Sequence, residues 1–158
     1  MPKIITVMKT HEIPAGPPAL VVPTPSARLR IGVDIAQISA IDASIADFGE
    51  RFLNRIFSPG EIAYATAVPA QTAQRLAARF AAKEAAMKAF GLGEAGIGWR
   101  DIEVTRTVDG AVALALHARA AALVEQSGCT DIALTLSHDG DYAAAFVAAL
   151  APAEPCIL

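Results

Sequence analysis

The sequence predicts an α+β fold, with helices packed on a small antiparallel sheet in one domain, and three patterns carry that prediction. Apolar residues alternate at Ile31, Val33 and Ile35, as in a strand. They recur at three- and four-residue intervals from Ile38 to Ile56 and along Arg75–Gly93, as in helices. Two pairs of strand-like segments follow, each joined through an Asp-Gly dipeptide. With 158 residues, 54% hydrophobic and only 18% charged, the chain is long and apolar enough to bury one core.

Residues 1–27 carry Pro14, Pro17, Pro18, Pro23 and Pro25 with little periodicity and read as a disordered, proline-rich leader, so the domain proper is expected over 28–150. Arg28–Ile35 is its first strand, with Gly32 and Asp34 on one face. A lone glycine there points to close approach of a backbone or ligand; Asp34 either belongs to a site or ends the strand and caps the next helix. Gln37–Phe57 is an amphipathic helix that would break at Gly49. Ser58-Pro59-Gly60-Glu61 has the form of a capping box with proline at the first helical position, opening a short helix to about Ala67. Thr72 is the expected cap of the long helix and Gly91 its left-handed stop. The glycine-rich stretch 91–98 lacks the lysine and hydroxyl pattern of a phosphate loop. Ile102–Thr107 and Ala111–Leu116 form a hairpin with a type I′ turn at Asp109-Gly110. Ala118–Gln126 is a helix stopped by Gly128. Ile132–His138 and Asp141–Leu150 form a second hairpin around Asp139-Gly140, and residues 151–158 are a tail.

A net charge of −3 argues against a general nucleic-acid binder, which needs a basic surface. Charge is unevenly placed. Residues 32–50 contain Asp34, Asp42, Asp47 and Glu50 without a cation, whereas 51–88 contain Arg51, Arg55, Arg75, Arg79, Lys83 and Lys88 against Glu61 and Glu84. A basic patch is therefore available to an anionic ligand or an acidic partner. Cys129 and Cys156 have no metal-ligand spacing, and no apolar run approaches the roughly 18 residues of a membrane span. The expected location is cytoplasmic, with no membrane partner.

On the long helix, Leu76, Phe80, Met87 and Phe90 share one apolar stripe. Glu84 and Lys88 lie one turn apart beside it, and Arg79 and Lys83 lie on its other side. One face can thus present Glu84 and Lys88 to a cleft while Arg79 reaches a different one. On spacing alone, Glu84 and Lys88 are equally an ordinary exposed pair worth a few tenths of a kcal/mol. Ser137-His138-Asp139 is no hydrolase triad, because strand neighbours point to opposite faces. His138, at a strand end, is a candidate hydrogen-bond donor to a ligand or an incidental surface histidine; His11 and His117 have no partner at metal spacing.

Taken together, Ile31-Gly32-Val33-Asp34-Ile35, then Arg79-Phe80-Ala81-Ala82-Lys83-Glu84-Ala85 continuing to Lys88, then Leu136-Ser137-His138 followed by Tyr142-Ala143-Ala144-Ala145 resemble the small holo-acyl-carrier-protein synthase family of 4′-phosphopantetheinyl transferases. Phe57–Glu61 and Trp99–Val104 also sit where that family has equivalents, so the resemblance spans about residues 30–150. It implies the fold of that family and transfer of phosphopantetheine from coenzyme A to a serine of an apo carrier protein, with release of 3′,5′-ADP. It further implies Mg²⁺ held by Asp34 and Glu84, and catalytic work by Glu84 and Lys88, with Glu84 or a metal-bound water taking the serine proton. Arg79, Lys83, Lys88, Ser137 and His138 would bind coenzyme A, within a homotrimer whose sites lie between subunits.

This sequence departs from the family at one place. Members that modify the acidic carrier of fatty-acid synthesis display arginines along the helix after the first strand, where this chain has Asp42 and Asp47 until Arg51 and Arg55. Carrier docking is therefore expected on Arg51, Arg55 and Arg75, or else the carrier belongs to a polyketide or other specialised pathway. The alternative reading is a coenzyme A- or carrier-binding module of the same fold without turnover.

Overall fold

A computed structural model describes residues 27–153. The chain runs β1 (Ala27–Gln37), α1 (Ile38–Ile56), α2 (Pro59–Thr66), α3 (Thr72–Phe90), β2 (Ile102–Arg106), β3 (Val112–Leu116), α4 (Ala118–Gln126), β4 (Thr130–Asp139) and β5 (Tyr142–Pro152). The proline-rich leader expected at 1–27 lies outside the described residues save for Ala27, as do His11, Cys156 and most of the tail; β5 runs two residues into the segment read as tail. Strands β1, β5 and β4 form one antiparallel sheet in that order, and β2 and β3 form a separate hairpin. No helix among the described residues is long and apolar enough to cross a membrane.

Helix α3 lies across the sheet, and small residues let it come close. Ala77, Ala81, Ala82, Ala85, Ala86 and Ala89 are buried on the helix, as are Ala143, Ala145, Val147 and Ala149 on β5. Closest of all is β1. A methyl group at Gly32 would fall 1.9 Å from the carbonyl oxygen of Ala85 and 2.7 Å from the nitrogen of Ala89. Gly32 precedes Asp34 by two residues, and Ala85 and Ala89 directly follow Glu84 and Lys88. The contact that the lone glycine announced therefore holds β1 close to α3, where Asp34 pairs with Lys88.

Local chemistry sets the element boundaries. Gly49 adopts φ 52° and ψ −134° and breaks α1, and Gly91 ends α3 at φ 67°. At α2 the capping box forms: the Ser58 hydroxyl accepts from the Glu61 amide at 3.2 Å, and the Glu61 carboxylate accepts from the Ser58 amide at 2.8 Å.

Three expectations are corrected. Thr72 is the first residue of α3 and not its cap; Gln71 precedes it in a short 3₁₀ turn, and the Thr72 hydroxyl turns back to the Ala65 carbonyl at 3.4 Å. The β2–β3 connection is not type I′, which needs two left-handed residues; among its described residues only Gly110 is left-handed, and the Gly110 amide donates to the Thr107 carbonyl at 2.9 Å. The β4–β5 connection is Gly140-Asp141, since Asp139 still pairs with Tyr142.

Asp141 is drawn away because it caps α1. Its carboxylate accepts from the Ser39 amide at 2.8 Å, the Ser39 hydroxyl at 2.6 Å and the Gln37 amide group at 2.9 Å. That frees Asp34 from the capping role.

The outer face of the sheet is apolar and open to solvent. Leu29, Ile31, Val33 and Ile35 are each at least half exposed, and Phe146 and Leu150 lie beside them on β5.

Candidate active site

Helix α3 separates two clusters. On the β1 side, the Lys88 ammonium donates to Asp34 Oδ1 at 2.7 Å and to the Val33 carbonyl at 3.1 Å. The hydrogen bond to Asp34, then the charges of Asp34 and Glu84, hold the Lys88 pKa above its ordinary value against a little desolvation. Asp34, Glu84 and Lys88 are thus one electrostatic group, with Asp34 18% exposed and Glu84 half-buried. Among the described residues no cluster of three or more His, Cys, Asp or Glu side chains could hold a metal ion, so any ion here would be held by two carboxylates and by ligands from outside the chain.

On the β4 side, a cleft of about 400 Å³ is lined by Tyr64, Arg75, Arg79, Arg106, Ser137 and His138, among others, and among the described residues no carboxylate contributes to its wall. The guanidinium carbons of Arg79, Arg75 and Arg106 stand 4.2, 4.7 and 5.0 Å from the centroid of the Tyr64 ring. Cations stack favourably on an aromatic face, and that stacking holds the three in one place. Burial is the main cause that lowers the Arg79 pKa. Neither Asp34, Glu84 nor Lys88 lines this cleft.

Two of the residues singled out from sequence sit elsewhere than expected. Lys83, expected at coenzyme A, is enclosed in the core: its ammonium pairs with Glu61 at 2.9 Å and donates to the carbonyls of Trp99 (3.1 Å) and Ile102. Both side chains are 0% exposed, so no ligand at the surface reaches either. The i+4 step from Arg79 to Lys83 carries the lysine under the β2–β3 hairpin and away from the cleft. Arg75, expected in the docking patch, lines the cleft instead, held by the Tyr64 carbonyl at 2.9 Å and by Gln71 at 2.7 Å. Arg51 and Arg55 do lie together, beside Phe48 and Phe52 around a smaller hollow of about 250 Å³.

Tyr64 and Arg106 were not singled out from sequence. Arg106 left a trace there: strand alternation puts it in phase with Ile102 and Val104, both buried, so a charge follows two core positions on the same face. Glu103, out of phase, accepts a short hydrogen bond from the Ser58 hydroxyl and pairs with His117 Nε2 at 2.9 Å. His117 therefore has a carboxylate partner.

The chain is similar to known proteins over most of its length. A family model described as the 4′-phosphopantetheinyl transferase superfamily matches residues 30–147. The chain is 44% identical over 121 residues to a holo-[acyl-carrier-protein] synthase of Gloeobacter violaceus, covering 77% of this chain and 92% of that one. It is 44% identical over 120 residues to another from Koribacter versatilis, covering 75% and 95%. Among solved structures it is similar to the complex of the Chronobacterium ammoniagenes synthase with coenzyme A, at TM-score 0.67 and 32% identity, with 77% of this chain and 96% of that one covered. It is also similar to the Helicobacter pylori synthase in complex with coenzyme A, at TM-score 0.64 and 28% identity, covering 74% and 96%. By these matches the chain, with Asp34 and Lys88 paired on one flank of α3 and an arginine-lined cleft on the other, belongs to the 4′-phosphopantetheinyl transferase superfamily, among the holo-[acyl-carrier-protein] synthases.

Proposed function

We propose that the two flanks of α3 divide the work of the family's reaction, transfer of 4′-phosphopantetheine from coenzyme A to a serine of an apo carrier protein with release of 3′,5′-ADP. The observation that carries this reading is the convergence of Asp34, Glu84 and Lys88, fixed by the Gly32 contact with α3. Two carboxylates with hard oxygen donors, and neither histidine nor cysteine beside them, suit a Mg²⁺ ion that keeps several waters and takes oxygens from substrate. Bound there, the ion would polarise the phosphorus under attack and offset charge on the departing ADP.

The chain's own groups do the rest. Lys88 stays protonated beside Asp34 and adds a positive charge at the pyrophosphate. The carrier serine oxygen attacks the phosphorus that bears pantetheine, and the bond from that phosphorus to the bridging oxygen of ADP breaks. The serine proton passes to the Glu84 carboxylate or to a water beside it.

Arg79, Ser137 and His138 bind the nucleotide end of a coenzyme A whose pyrophosphate lies at the Asp34 flank of a neighbouring subunit. The apolar outer face of Leu29, Ile31, Val33 and Ile35 supports assembly, in our reading as a homotrimer, because burying such a face is favourable by roughly 25 cal/mol per Å². Arg51, Arg55 and the exposed Phe48 form the surface for an acidic carrier. The enzyme works in the cytoplasm.

The test is to incubate the protein with coenzyme A, Mg²⁺ and apo carriers and weigh the carriers. Gain of one phosphopantetheine mass is expected. Asp34→Ala and Glu84→Ala should each lower the rate by at least about a hundredfold, and full activity in both would overturn the metal assignment. Charge reversal at Arg51 and Arg55 should weaken carrier binding; unchanged affinity would move docking elsewhere.

A further inference from the structure

We infer, resting on the docking surface proposed above, that the break at Gly49 divides α1 into two halves that read opposite charges on the carrier. The carrier that fits has carboxylates around an apolar side chain at one end of its docking face and none beside its serine. Asp42 and Asp47 then set specificity, by rejecting carriers that are acidic throughout.

The basic half has a place for such a group. Ile38, Ile41, Ile45 and Phe48 follow one another at three- and four-residue steps, so Phe48 belongs by phase to the stripe that faces the core. Ile41 is buried, yet Phe48 is 61% exposed, because the helix breaks at the next residue, where Gly49 has φ 52° and ψ −134°. Phe48, Arg51, Phe52 and Arg55 line the hollow of about 250 Å³, and among the described residues no carboxylate contributes to it. Arg51 and Arg55 are both exposed and stand one turn apart, where like charges repel. An apolar side chain flanked by carboxylates answers both features, covering the exposed ring and offsetting the repulsion.

The same break keeps the acidic half from neutralising the basic one. Asp47 and Arg51 are four residues apart, the spacing at which opposite charges pair on an unbroken helix. Here Gly49 stands between them, and among the described residues neither takes part in an ion pair. Glu50 is exposed but does not line the hollow, since neighbours in sequence do not face one another on a helix. From Ile38 to Phe48 the only charged side chains are Asp42 and Asp47, both exposed. Charge is therefore segregated along α1, with the centres of the two groups roughly 13 Å apart at 1.5 Å per residue.

Order along the chain orients the carrier. Helix α1 leaves β1 four residues after Asp34, so its acidic half adjoins the strand of the reaction centre and its basic half lies beyond. A carrier seated on Arg51 and Arg55 with its serine at Asp34 lies across Asp42 and Asp47. Carboxylates beside that serine meet like charge and lose affinity, whereas neutral or basic side chains do not.

The experiment uses one strongly acidic apo carrier and a version of it whose carboxylates within one helical turn of the serine are replaced by their amides. KM for each is measured with the native protein, with Asp42→Asn plus Asp47→Asn, and with Asp42→Lys plus Asp47→Lys, each first checked by thermal melting. The native protein should show a KM about fivefold to thirtyfold lower for the amide version, with KM for coenzyme A the same beside either carrier. The asparagine pair should erase most of that preference and the lysine pair should invert it. Salt at about 0.5 M should shrink it, since both charge groups are exposed. Equal KM for the two carriers with the native protein, or a preference that survives the asparagine pair, overturns the inference. Calorimetric titration of the same two apo carriers without coenzyme A runs in parallel. The same preference in Kd, lost in the asparagine pair, supports the inference even if no carrier is modified, and absence of transfer then counts against the proposed reaction alone. Equal Kd for the two carriers, or no binding of either, overturns it.

Discussion

Two lysine–carboxylate pairs stand five residues apart on α3 and differ little in length, 2.9 Å for Lys83–Glu61 and 2.7 Å for Lys88–Asp34. Enclosure separates them. Lys83 and Glu61 are 0% exposed, and burial holds the Lys83 pKa below its ordinary value although Glu61 pulls it the other way. Lys88 is 53% exposed and is open to partners from solvent. A sealed pair organises the protein around it; an open one is available for chemistry. Distance alone would have given both the same role.

The comparison can be broken, most severely at the sealed pair. Lys83→Met leaves Glu61 charged without its cation and should cost about 3–5 kcal/mol in denaturant unfolding, while Lys83→Met with Glu61→Leu should recover much of it. A single variant as stable as the native protein would end the distinction. Gly32→Ala drives a methyl group into the α3 backbone and should cost about 3 kcal/mol or more, with loss of transfer in whatever fraction folds. Lys88→Met should do the reverse, lowering transfer by about a hundredfold with little change in Tm.

Weaker effects sharpen the picture through pH. The Ser58 hydroxyl first, then His117, hold the Glu103 pKa below its ordinary 4.5 against partial burial. A depressed carboxylate stabilises the fold above its unfolded pKa and loses that contribution as pH falls through the folded value. Glu103→Gln should therefore be less stable at neutral pH by about 1 kcal/mol, and should converge with the native protein below pH 4.5. Asp141, depressed chiefly by the Ser39 hydroxyl, should show the same sign on a smaller scale: Asp141→Asn loses a few degrees of Tm at neutral pH and converges in acid.

Sequence reading went furthest where a pattern was local. The capping box at Ser58 and Glu61, the break at Gly49, the stop at Gly91 and the close approach at Gly32 all depend on neighbours within a turn or on one missing side chain. It failed where the partner was distant. The cap of α1 comes from Asp141, about a hundred residues on, and claiming that residue moved the β4–β5 turn by one position. Lys83 and Lys88 flank the apolar stripe on opposite sides, and only the hairpin packed over Lys83 shows which of the two is sealed. Arg106 joins Arg79 across the fold, a meeting that no spacing along the chain encodes.

Strand β1 turns Gly32 and Asp34 toward α3, and with the alternate residues it turns Val33 and Ile35 outward. In the proposed assembly adjacent peptides would serve reaction and self-association, and weakening the contacts between copies would disturb Asp34 before it melts the fold. Specific activity should then decline on dilution while the circular dichroism spectrum stays unchanged, making protein concentration itself a control on turnover.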